Sequence, residues 1–144
     1  DGLNDPFNRR PLSLTNEALQ IFYRQISDIR NKSVILKTGA YSFCAANEDL
    51  ILILRFVLNG KDMFDAESEN GVYLTVVNRA AHSGYFALDL LDQKECVDTV
   101  RMEALQNMEL TSAKCLLTGK KFFAGKGIVS GEIPPVSCAV IKIE

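Results

Sequence analysis

The 144-residue sequence has no tryptophan, one histidine and only four tyrosines. Ligand platforms built on broad exposed aromatic faces draw chiefly on Trp and Tyr. The lack of Trp therefore argues against a dedicated platform and leaves Tyr73 and Tyr85 as the candidates, with strand packing their expected fate. His82 falls in a turn, and its neighbour Ser83 cannot supply the nucleophile, base and orienting acid of a hydrolytic triad. His82 is thus expected to be a surface turn residue. The four cysteines, Cys44, Cys96, Cys115 and Cys138, contain no Cys-x-x-Cys pair. Three of them sit in apolar strand-like runs, the setting of buried free thiols, which slightly favours a reducing, cytoplasmic compartment. No run is apolar enough to span a bilayer, so no membrane partner is expected. Sixteen basic residues against eighteen acidic ones give a net charge of −2. With the lysines scattered, nothing favours a phosphate backbone, and nucleic acid is excluded as a partner. No initiator methionine and no charged segment followed by an apolar run stand at the front. The first residues already belong to a motif, so the N-terminus is expected to be a cut within a longer chain.

What is present is an ordinary globular composition, 47% hydrophobic and 24% charged, long enough for one domain that buries roughly 68–70% of its unfolded surface. Between Thr15 and Asn31, Leu19, Phe22, Tyr23, Ile26 and Ile29 recur at intervals of three and four, predicting one amphipathic helix. Thr15 or Asn16 can cap it, and Glu17 at its start and Arg30 and Lys32 near its end suit the helix dipole. From Ala40 onward the pattern becomes short apolar runs broken by turn residues every eight to twelve positions. Strands are predicted near Tyr41 to Ala45, Leu50 to Leu58, Val72 to Asn78, Gly84 to Leu90, Ala113 to Leu117, Lys121 to Ala124, Gly127 to Ile133 and Ser137 to Ile143. The fold class is therefore mainly β, an eight-stranded antiparallel Greek-key β-sandwich preceded by the helix. Leu50 to Leu54 is apolar without alternation and predicts a strand covered on both faces, whereas Val72, Leu74 and Val76 alternate as in a half-exposed strand. Turns are expected at Lys37-Thr38-Gly39, Asn59-Gly60, Asn70-Gly71, Thr118-Gly119-Lys120 and Gly125-Lys126-Gly127. The stretch from Asp92 to Ser112 fits neither period.

Two clusters invite a chemical reading. The acidic loop Asp62, Asp65, Glu67 and Glu69 fails as an EF-hand, because counting from Asp65 puts Asn70 where Gly is needed and Val76 where Glu is needed. It reads as a solvated loop, and no metal or cofactor is expected. In Asn4-Asp5-Pro6-Phe7-Asn8-Arg9-Arg10-Pro11, Asp5 can cap a helical turn that begins at Pro6 and pair with Arg9 at i, i+4. Alternatively, Asp5 and Arg9 offer a carboxylate beside a guanidinium fork, an arrangement suited to adjacent sugar hydroxyls.

The front motif NDPFNRRP, the helix segment, VYLTVVNRA, LLTGKKF and IPPVSCAVIKI occur in an order that resembles the end of an α-amylase-family glycoside hydrolase, of neopullulanase or maltogenic-amylase type. The resemblance implies that residues 1–37 are the last loop and helix of the catalytic barrel and residues 38–144 the C-terminal β-sandwich domain. It places Asp5 and Arg9 on substrate-binding positions of the intact parent, while Arg10 carries no role. Val136 departs from the family by standing where an aromatic is usual. A retaining glycosidase needs two carboxyls roughly 5–5.5 Å apart. In the family these precede the region covered here, so no residue is assigned a catalytic role and the chain itself is expected not to be an enzyme. The expected function is a non-catalytic C-terminal domain of an enzyme acting on α-glucans such as starch, maltodextrin or pullulan, stabilising the barrel that is its partner. The exposed helix face is expected to fold onto the sandwich or to self-associate with a second copy. The alternatives are a carbohydrate-binding module that takes α-glucan on its own, which would need a line of surface aromatics, and an unrelated adhesion-type sandwich.

Overall fold

A computed structural model describes residues 16–45, 48–90, 103 and 107–144. Helix α1 spans Glu17–Lys32 and a short helix α2 spans Val34–Thr38. Asn16 caps α1, its Oδ1 accepting from the Leu19 N–H at 3.0 Å. Glu17 lies in the first turn and Arg30 and Lys32 in the last, as the dipole favours. The sequence pattern did not separate α2, because five residues are too few for a helical period to show. Ser33 creates the break: it ends α1 in an extended conformation, and its hydroxyl accepts from the Leu36 N–H at 3.3 Å to start α2.

Eight strands follow: β1 Ala40–Ala45, β2 Leu50–Val57, β3 Gly71–Asn78, β4 Gly84–Asp89, β5 Ala113–Cys115, β6 Lys121–Gly125, β7 Ile128–Ile133 and β8 Ser137–Ile143. Every predicted strand is present within about two residues, an error usual at strand ends. They form one antiparallel sheet in the order β1-β2-β3-β8-β5-β6-β7-β4. β6 joins its two halves. Its first residues pair with β5 (Ala113 with Phe122) and its last with β7 (Gly125 with Ile128). The sheet curls so that Phe86, Leu88, Val129 and Ile133 of β4 and β7 enter the same core as Leu52, Leu54 and Phe56 of β2. Register builds this core in rows, Leu54 opposite Leu74 opposite Ile141 and Phe56 opposite Val72 opposite Ile143.

Three turns match the turn chemistry closely. Between β6 and β7, Lys126 and Gly127 both take positive φ (52° and 78°), the two-residue hairpin geometry that suits strand twist. Gly60 and Gly119 likewise have positive φ (72° and 74°). Gly39 is glycine for a different reason. Its φ is −62°, but a Cβ there would stand 2.6 Å from the Ile35 carbonyl oxygen. That closeness lets Ile35, 1% exposed, seat α2 against Val57 and Tyr73.

The expectation that Leu50 to Leu54 is covered on both faces is corrected. β2 alternates, with Leu50, Leu52 and Leu54 buried, Ile51 41% exposed and Ile53 half-buried. β1 is inverted relative to a simple surface strand. Ala40 and Ser42 are buried in the core face and Cys44 packs there half-buried, while Tyr41 and Phe43 point outward, 49% and 53% exposed. Of the segment that fitted neither period, Val100 and Leu105 lie outside the described residues; Met108 packs half-buried against the core and Leu110 is buried.

Candidate functional site: an apolar outer face and groove

The outer face of the β1-β2-β3-β8 half carries three cross-strand rows. Tyr41, Arg55, Tyr73 and Lys142 form the first, Phe43, Ile53, Thr75 and Val140 the second, and Ile51, Val77 and Cys138 the third. The first row is polar at its rim. The Arg55 guanidinium lies 5.6 Å over the Tyr41 ring, and Lys142 Nζ contacts Glu144 Oε1 at 2.6 Å. That hydrogen bond raises the Lys142 pKa and lowers that of Glu144. The second and third rows are largely apolar, and Phe43, Ile51 and Val77 are exposed.

Beside the third row α1 forms the wall of a groove of about 630 Å³. Phe22 and Ile26 of α1 line it together with Val77, Cys138, Leu117 and Val136. No residue of α1 is buried, so the helix flanks the sheet without closing onto it. Burial, and secondarily the nearby Cys115 thiol, push the Cys138 thiol above its ordinary pKa. Val136 holds φ at +42°, a region costly for a β-branched residue. Its N–H donates to the Ala80 carbonyl at 3.0 Å, fixing the strained turn at the groove edge.

Asn78 organises the floor. Its Nδ2 donates to the carbonyls of His82 (2.9 Å), Pro134 (2.9 Å) and Ile133 (3.3 Å), and its Oδ1 accepts from the Ala80 N–H at 2.9 Å. At 1% exposure it ties the β3–β4 turn to the β7–β8 turn.

Asp5, Arg9 and the rest of the front motif lie outside the described residues, as does Cys96. The other three cysteines lie in strands, Cys115 buried and Cys44 and Cys138 half-buried. In the acidic loop, Asp62 is buried, and its Oδ1 accepts from the N–H groups of Phe64 (2.8 Å) and Ala66 (3.0 Å). That carboxylate shapes the loop, while Asp65, Glu67 and Glu69 are exposed. His82 is an exposed turn residue. The two tyrosines diverge: Tyr73 is buried beside Ile35, whereas Tyr85 is 65% exposed. Sequence reasoning missed the outward Tyr41 and Phe43, although the alternation of Ala40, Ser42 and Cys44 with two aromatics carried the signal.

No protein-family model matches the chain. Over 90 residues it is 36% identical to the amylopullulanase of Thermoanaerobacterium thermosulfurigenes, a match that covers 61% of this chain and 5% of that protein. It is 34% identical over 90 residues to the amylopullulanase of Thermoanaerobacterium saccharolyticum, covering 61% and 7%. Among solved structures, an Anoxybacillus α-amylase shares the fold with a TM-score of 0.66 at 15% identity, over 96% of this chain and 25% of that one. The acarbose-complexed α-amylase of Geobacillus thermoleovorans gives 0.66 at 13% identity, over 97% and 26%. The chain thus spans only 5–7% of the length of these curated relatives. Sequence likeness thus ties 90 residues of this chain to a small part of two amylopullulanases, and α-amylases of known structure share its fold.

Proposed function

We propose that the chain is a non-catalytic C-terminal domain of a glycoside hydrolase acting on α-glucans, and that it stabilises the catalytic barrel of a longer chain by packing against it. One observation carries this reading: aromatic and branched side chains, Phe43, Ile51 and Val77, are placed outward on one sheet face while small residues of β1 face the core. A free-standing soluble domain gains nothing from that inversion, whereas a docked one buries the face. Relatives in which the matched region is a small part of a longer protein support the same reading. On this reading residues 1–37 complete the barrel, with Asp5 and Arg9 contacting glucan there, and 38–144 form the β-domain. The β-domain is read as a Greek-key sandwich. Support comes from β4 lying beside β7 instead of β5, and from β6 switching partners as corner strands do.

The test replaces Phe43 and Ile51 by serine in the longer enzyme. Docking would bury the exposed half of each side chain, worth about 1 kcal/mol apiece, so the enzyme's inactivation temperature should fall by more than the unfolding midpoint of the 144-residue chain alone. An unaltered enzyme overturns the docking role. A second reading, a module binding α-glucan on its own, draws support from the exposed Tyr85.

A further inference from the structure

A second cavity, of about 440 Å³, opens where the residues leading into β2 meet the β3–β4 turn. Its volume falls within the usual range for small-ligand sites. Glu48, Asp49, His82, Ser83 and Tyr85 line it together with Leu50 and Gly84. The floor is Leu50, 1% exposed, lying under Gly84, where a Cβ would meet Leu50 Cδ2 at 3.0 Å. The walls are tied together before any ligand arrives. The Arg79 N–H donates to the Asp49 carbonyl at 3.0 Å, and Asn78 Nδ2 holds the His82 carbonyl at 2.9 Å.

The chemistry of these walls narrows the ligand. Two carboxylates repel phosphates and other anions. Asp49 already faces Arg79 Nε at 3.6 Å, and among the described residues no three acidic, His or Cys groups are arranged to hold a metal ion. A neutral polyhydroxylated ring uses what remains. Its C–H face covers an exposed aromatic, its hydroxyls donate in pairs to carboxylates, and it accepts from a hydroxyl or imidazole N–H. We propose that this pocket is a saccharide-binding subsite, with Tyr85 as the stacking platform, Glu48 and Asp49 as hydroxyl acceptors and His82 and Ser83 as donors. Its assignment to α-linked glucose units rests on the α-glucan reading above.

The experiment titrates the full chain with maltotriose, cellotriose, xylotriose and, separately, calcium chloride. Backbone amide shifts are followed at Asp49, Ser83 and Tyr85, with Val77 and Cys138 in the groove as reference. Maltotriose should shift the first set with a dissociation constant of about 1 mM, and Tyr85→Ala should weaken it by about tenfold. Because Tyr85 is exposed, unchanged core methyl shifts should show that the variant is folded, and Glu48→Gln gives an independent loss of affinity. Binding of cellotriose or xylotriose alone keeps the subsite and removes the α-glucan assignment. No saccharide shift, shifts with calcium only, or shifts indifferent to Tyr85→Ala and Glu48→Gln overturn the subsite while leaving the docking role untouched.

Discussion

Replacing Asn78 by alanine removes one side chain that serves four backbone groups at 1% exposure. Its two amide hydrogens are shared among three carbonyls, so the longest contact, 3.3 Å to Ile133, is the weakest. Counting about 1 kcal/mol for each of three good bonds, and allowing water to recover some of the turn carbonyls, the variant should lose about 3 kcal/mol. In a chain of this size that lowers the melting temperature by roughly 6–12 °C. Asn78→Asp tests the geometry more sharply, since it keeps the shape but aims a carboxylate at the carbonyls of His82, Ile133 and Pro134. Burial and those carbonyls favour the protonated form, so the folded-state pKa of the new carboxyl lies above its unfolded value. Its protonated state is the stable one, and the variant should lose stability as pH rises through the folded pKa. Urea denaturation of the parent and both variants at pH 4.5 and 8 measures this. A loss below about 1 kcal/mol for Asn78→Ala, or an Asn78→Asp deficit that does not grow with pH, would refute the assigned network.

Two further outcomes are expected. A Cβ at Gly131 would stand 2.5 Å from Phe122 Cδ1, where that ring meets Phe86 at 5.7 Å between centroids. Gly131→Ala should therefore cost about 1–3 kcal/mol, and in combination with Phe122→Leu the two losses should sum to less than their separate values in chemical denaturation. Cys138, whose thiol is held above its ordinary pKa by burial, should react with iodoacetamide at pH 8 more slowly than a free thiol. Because the folded state disfavours the thiolate, stability should fall as pH rises beyond the ordinary thiol pKa; rapid labelling of Cys138 in the folded chain would contradict this.

Much of the fold was legible because strand alternation and turn chemistry act locally. Val72, Leu74 and Val76 face the core in one row each, and Lys126-Gly127 adopts the backbone its composition favours. Gly39 shows the limit of such reading. Its position as a turn residue was visible, but the close approach of the Ile35 carbonyl that requires glycine is tertiary. The Tyr85 pocket was hidden for the same reason. Glu48 and Asp49 reach Ser83 and Tyr85 only once β2 and β4 are placed, and no spacing along the chain encodes that meeting.

The run Leu50 to Leu54 is the most instructive difference. Its continuous apolar pattern asks for cover on both faces, yet within this chain only Leu50, Leu52 and Leu54 obtain it, and Ile51 stays 41% exposed. Selection for core packing alone would leave the outward positions free to become polar, as in an antiparallel sheet with one wet face. Instead Ile51, Ile53, Phe43 and Val77 adjoin across β1, β2 and β3 in register. Sliding β1 by one residue would bury its two aromatics, but the observed register keeps Ala40 and Ser42 inside and sends Tyr41 and Phe43 out. The pattern thus fits a strand covered twice, once by this chain's own core and once by the barrel surface proposed to pack against it.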